Sequence, residues 1–149
     1  MTFTYDHNQS LGYLTAVSSR LFSNILAMRF REAGIDMTAE QWGAIIVLLN
    51  GEAMNQAQLR EQLYLEKSSV SRLTDGLERR GWIVRIQDPK NSRHKLITPT
   101  PMALDMAEHC TTIAKTVLEQ AQLGMTGDEM LGCRSSLSRI ITNLREQAG

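Results

Sequence analysis

The stretch from Asn55 to Thr98 constrains the fold more than any other, because its hydrophobic period changes partway along. Up to Leu77 the apolar residues recur at helical spacing, in two short pieces joined by Tyr64-Leu65-Glu66-Lys67. Asn55 caps the first piece, whose inward residues are Ala57, Leu59 and Leu63. The second starts near Ser68 and turns Val70, Leu73 and Leu77 inward. Gly81 stands where that helix must stop, since glycine takes the left-handed conformation at little cost. Beyond it the signal is extended: Trp82-Ile83-Val84-Arg85-Ile86 is β-branched and aromatic, and His94-Lys95-Leu96-Ile97-Thr98 is a return strand. Between them, Asp88-Pro89-Lys90-Asn91-Ser92 is turn chemistry, because proline presets φ and Asp, Asn and Ser bond locally. A lone hairpin is marginally stable, so it leans on the helices before it. Two short helices, a brief linker and a hairpin make a winged helix-turn-helix.

The remaining segments are helical, so the fold class is mainly α. Ser10 caps a long first helix running to about Ala33, with Gly34 as its stop. Leu11, Leu14, Val17, Leu21, Ile25 and Met28 form one apolar stripe, and Tyr13, Phe22, Leu26 and Phe30 widen it. A helix apolar over so much of its circumference is buried on more than one side. A central core helix and a subunit interface both satisfy that pattern. Thr38-x-x-Gln41 is a capping box opening the next helix, with Trp42, Ile45, Ile46 and Leu49 apolar. After the hairpin, Thr100 and Pro101 restart helix, with Leu104, Ala107, Ile113, Ala114, Val117 and Ala121 on its apolar side until about Gly124. Thr126-Gly127-Asp128-Glu129 begins the last helix, where Met130, Leu137, Ile140, Ile141 and Leu144 are apolar.

Net charge argues at first against a polyanionic partner, since the 149 residues sum to zero. Distribution matters more. From Arg60 to Ile97, nine Lys and Arg stand against five Asp and Glu, so this segment carries +4 and the rest carries −4. Cys110 and Cys133 imply no disulfide framework, which fits a reducing cytoplasm. The start, MTFTYDHNQS, lacks the pattern of a secretory signal, and no apolar run is long enough for a bilayer, so no membrane partner is expected. His109 and Cys110 are adjacent and point about 100° apart on a helix, a poor chelating pair, so no metal is expected. There is no phosphate loop, no nucleophile motif and no carboxylate pair with a supporting base. Neither a catalytic residue nor a cofactor is assigned.

The basic segment points to duplex DNA. A helix about 10 Å across enters the major groove, and its outer face reads base edges. With Val70, Leu73 and Leu77 inward, the outer set is Ser68, Ser69, Ser71 and Arg72, with Asp75 one turn on; Lys67, in the linker just before the helix, joins them as a candidate DNA contact. Serines permit close approach, arginine binds guanine or phosphate bidentately, and free N–H groups at a helix start favour phosphate. Ser68 fits equally well as a plain N-cap. At the hairpin, Lys90, Arg93 and Lys95 face the DNA backbone, and an arginine there suits a narrow minor groove. A winged helix used only for protein–protein contact is the competing reading, although it has no need of this concentration of cations.

The run from Leu59 to Thr98 resembles the DNA-binding lobe of the MarR (multiple antibiotic resistance regulator) family. Val70-Ser71-Arg72, Leu77-x-x-x-Gly81-Trp82-Ile83 and the Asp88…Arg93 wing sit at that family's spacing. The chain departs from the pattern at Asn91, where a second acid is common, at His94, where a second arginine is, and at Pro101, where glycine is usual. The resemblance implies a homodimeric, cytoplasmic transcription regulator, a repressor released by a small aromatic or phenolic effector. It divides the chain into a helical dimerisation region, residues 1–36 and 100–149, and a DNA-binding region, residues 37–99. Tyr13 and Trp42 are the candidates for lining an effector pocket, against their ordinary role as core aromatics. Two winged helices about a twofold axis read a pseudo-palindrome with half-sites about one helical turn apart.

Overall fold

The computed structural model describes residues 1–148. After a short 3-10 turn at His7–Gln9 come α1 (Leu11–Glu32), α2 (Ala39–Asn50), α3 (Gln56–Leu63), α4 (Lys67–Arg79), β1 (Ile83–Asp88), β2 (Asn91–Pro99), α5 (Pro101–Ala121) and α6 (Gly127–Ala148). The residues group into one unit, Met1–Ala114, and a second from Lys115 onward, with the boundary inside α5.

Local chemistry explains where most helices begin. Ser10 accepts from the Tyr13 N–H, and Thr38 with Gln41 and Asn55 with Gln58 form complete capping boxes. The Thr100 hydroxyl donates to the Gly81 carbonyl at 2.6 Å and accepts from the Ala103 N–H, so one side chain ties the start of α5 to the end of α4. Helix α4 is the exception: it starts at Lys67, and its N-cap Glu66 makes no side-chain capping bond. Ser68 therefore lies inside the first turn, and the reading of it as an N-cap is corrected.

In the first unit the core gathers around Phe30, Ile45, Leu59, Leu77, Ile83 and Ile97, all essentially inaccessible. Burying each such side chain contributes roughly 1.5–3 kcal/mol against leaving it exposed. Val70, Leu73 and Leu77 face inward on α4 as the spacing requires. Ala57 does not, since α3 buries Leu59 and turns Ala57 to solvent. Strands β1 and β2 pair antiparallel from Ile83↔Pro99 to Gln87↔Lys95. Met54, just before α3, adds a bridge to Ile97, whose N–H donates to the Met54 carbonyl at 2.7 Å. That bridge fastens the hairpin to the helices.

Helix α1 buries only Phe30 within this chain. Leu11, Leu14, Leu21, Ile25 and Met28 are between 37% and 63% exposed, so the helix is not the centre of a one-chain core. On α5 the buried positions are Ala103, Cys110 and Val117, while Leu104 and Ala121 are exposed. Helix α6, in the second unit, buries no residue: Leu131, Leu137, Ile141 and Leu144 are exposed, as is Cys133. An inert buried thiol describes Cys110 and not Cys133. No helix among the described residues is long and apolar enough to cross a membrane, and no metal-holding cluster of His, Cys, Asp or Glu occurs among them.

Candidate nucleic-acid interface

Helix α4 buries Val70, Leu73, Thr74 and Leu77 on one side, which leaves the opposite side to solvent. Lys67, Ser68 and Arg72 are exposed there, and Ser69 and Ser71 are half-buried. Among the described residues, these five side chains have no partner within the chain. Backbone geometry completes the arrangement. Val70 is the first α4 residue whose N–H meets a helical acceptor, the Glu66 carbonyl, so the N–H groups of the first turn stay open at an uncapped positive dipole end. A cation at Lys67 is unfavourable beside that end and favourable to a bound anion.

The wing has a geometry that sequence reasoning missed. Pro89 and Lys90 form a two-residue turn, but Asp88 pairs with Asn91 while Gln87 pairs with Lys95. Ser92, Arg93 and His94 therefore leave the ladder as a bulge on β2, all three exposed. Side chains replace the missing strand bonds. Asp88 Oδ1 accepts from the Lys90 N–H at 2.9 Å, Asn91 Oδ1 accepts from the Arg93 N–H at 3.1 Å, and the Gln87 amide donates to the Ser92 carbonyl. Asn91, which departs from the family pattern, thus holds the backbone of Arg93 in place. Lys90, Arg93 and Lys95 all extend their charges into solvent.

Asp75 is placed differently from the free contact that its position on α4 suggested. Its carboxylate pairs with Arg85 at 3.1 Å. The same guanidinium donates to Glu78 Oε1 at 2.8 Å, to the Thr74 hydroxyl at 2.9 Å and to Gln56 Oε1 at 3.2 Å. Arg85 on β1 thereby joins α3, α4 and the wing. Sequence reasoning counted it only as a charge, although strand period offered the signal: Arg85 lies two residues from buried Ile83 and shares its face, while Val84 and Ile86 point out. A second guanidinium, Arg80 at the C-cap of α4, pairs with Asp36 at 3.3 Å and donates to Gln41 Oε1 at 2.7 Å. Gln41 is buried and also accepts from the Thr38 N–H, so it links the α2 capping box to the end of α4.

Tyr13 and Trp42 do not share a pocket within one chain. Trp42 is 7% exposed and packs edge-on against Phe30, with ring centroids 6.0 Å apart. Tyr13 is exposed and meets His7. It lies 17 residues before Phe30 on the same helix, about 25 Å along its axis. A cleft of about 360 Å³ lies elsewhere in the first unit, lined by Ile35, Asp36, Arg80, Trp82, Met102 and Met106.

Comparison with known proteins gives a consistent result. Residues 37–95 match the model of the MarR family. The multiple antibiotic resistance protein MarR of Salmonella typhimurium is 24% identical over 123 residues, covering 82% of this chain and 81% of that protein. The crystal structure of the transcriptional regulator PA3341 superposes with a TM-score of 0.78 at 28% identity, covering 92% of this chain and 99% of the other. The fold is shared with a mutant MarR from E. coli complexed with operator DNA (TM-score 0.81, 18% identity, 93% and 99% covered). It is also that of Bordetella bronchiseptica BpsR, whose DNA binding is described as regulated by 6-hydroxynicotinic acid (TM-score 0.81, 17% identity, 93% and 97% covered).

Proposed function

The chain carries a MarR-family winged helix and is a transcriptional regulator of that kind, and on this premise we propose that it binds duplex DNA as a homodimer at a pseudo-palindromic operator. The observation that carries this reading is the pairing of an uncapped, cation-bearing helix start with a bulged basic wing. Helix α4 enters the major groove, where Ser68, Ser69, Ser71 and Arg72 meet base edges and phosphate and Lys67 meets phosphate. Lys90, Arg93 and Lys95 follow the backbone beside it, with Arg93 directed at the minor groove. Residues 37–99 form the DNA-binding region.

The homodimer is proposed from the apolar faces of α1 and α6, each left uncovered by its own unit. Helix faces with this much exposed apolar surface mark an interaction site, and a second copy of the chain is the occupant proposed. Residues 1–36 and 100–149 supply the dimerisation region. Repression relieved by a small aromatic or phenolic effector is the regulatory mode we propose. Besides Tyr13 and Trp42, the cleft lined by Asp36, Arg80, Trp82, Met102 and Met106 is a second candidate site for such a ligand, with apolar walls beside the Arg80–Asp36 ion pair.

Selection of bound sequences from pooled random duplex DNA at two salt concentrations tests the function. An enriched pseudo-palindrome, bound more weakly as salt rises, is the expected result, since each phosphate contact releases counterions. Absence of duplex binding at low salt would favour a winged helix devoted to protein contacts.

A further inference from the structure

Arg85 is 18% exposed and has four acceptors within 3.2 Å: Glu78, Asp75, Thr74 and Gln56. Three belong to α4, one opens α3, and the guanidinium itself rises from the middle of β1. Its planar fork suits this task, since its donors diverge in fixed directions and reach several acceptors at once. Thr74 is fully buried and bonds back to the Val70 carbonyl at 2.8 Å, so the arginine is anchored to the helix backbone at one remove. Asp75 and Glu78 line the same groove of about 530 Å³ as Arg72 and Arg79 on the solvent side of α4. Two unpaired carboxylates there would repel a phosphate backbone.

We propose that Arg85 is a positioning residue for DNA recognition, which locks α4 to the wing as one rigid reader and offsets part of the negative charge of Asp75 and Glu78 on the DNA-facing side. It touches no DNA itself, and Asp75 serves as its counterion instead of reading a base. The inference rests on the DNA-binding reading above. A helix and a wing must reach adjacent grooves together, so a small change in their relative tilt costs contacts on one or the other. Lysine at this position keeps the charge and loses the fork.

The test is a double-mutant cycle on the full chain. Wild type, Arg85→Lys, Asp75→Asn and the double variant are titrated with the selected operator and with random duplex. Thermal melts accompany each to establish that it is folded. Arg85→Lys is expected to weaken operator binding about tenfold, the scale of one charge-assisted contact, and to narrow the gap between operator and random duplex. In the Arg85→Lys background, Asp75→Asn should add nothing further, and the base preference opposite α4 should stay the same. Equal operator affinity in wild type and Arg85→Lys would overturn the proposal. So would independent effects of the two substitutions, or a changed base preference in Asp75→Asn. Failure of the wild type to bind any duplex would instead overturn the reading on which the proposal rests.

Discussion

Gly81 lets the chain turn from α4 into the wing across the three residues, 80–82, that separate them. Its φ is +81°, its N–H donates to the Glu78 carbonyl, and the Trp82 N–H reaches the Leu77 carbonyl at 2.9 Å. A Cβ there would find ordinary space, 3.7 Å from Met102, so the constraint is conformational and not steric. Gly81→Ala should therefore cost about 1–2 kcal/mol, read as a melting temperature lower by several degrees. An unchanged melt would mean that the turn relaxes. Burial makes a second residue predictable. Cys110 is inaccessible, and desolvation raises its thiol above the ordinary range, against a smaller lowering by a backbone hydrogen bond. Cys110 should stay unalkylated at neutral pH until the chain unfolds, as peptide mass spectrometry of iodoacetamide-treated protein will report. Labelling as fast as in denaturant would contradict the burial. Gly81 and the Thr38–Gln41 box were legible because their partners lie three to five residues away. Arg85 and Arg80 were not, since Arg85 finds Gln56 at a separation of 29 residues and Arg80 finds Gln41 at 39.

Among the elements, the helices and the hairpin followed from period and punctuation, with boundaries shifted by a residue or a few. The bulge at Ser92–His94 escaped because nothing in a five-residue turn signature says which strand carries the extra residues. The apolar stripe of α1 was visible, but period alone does not say whether its cover comes from the same chain. Helix α6 offers a prediction at this scale. The Thr126 N–H donates to Glu129 Oε1 at 3.0 Å, and the Thr126 hydroxyl accepts from the Glu129 N–H at 3.1 Å. The first of these bonds chiefly, and after it the Thr126 side chain hydrogen-bonded to the carboxylate, hold the Glu129 carboxyl below its ordinary range. A lowered folded pKa means that the stabilisation is present at neutral pH and is lost as pH falls through that lowered value. Hydrogen-exchange protection factors in the first turn of α6, corrected for the intrinsic pH dependence of exchange, should therefore fall on acidification in the wild type and vary less with pH in Glu129→Gln, whose amide keeps an acceptor without titrating. The same acid response in both would assign it to other carboxylates.

For the molecule as a whole, function depends on what covers the exposed faces of α1 and α6. Leu137 is 40% exposed in one chain. If a second copy covers it, Leu137→Glu brings a carboxylate into an apolar interface and should shift the protein to monomer, with operator affinity lost along with the dimer. A variant that sediments as a dimer would move the interface elsewhere. The most direct test of the central claim is the mass, by sedimentation, of the complex formed on the selected operator, repeated as salt is raised. Two chains per duplex, on half-sites about one helical turn apart and released by salt, is the predicted result. A complex of one chain per duplex, or one insensitive to salt, would contradict it.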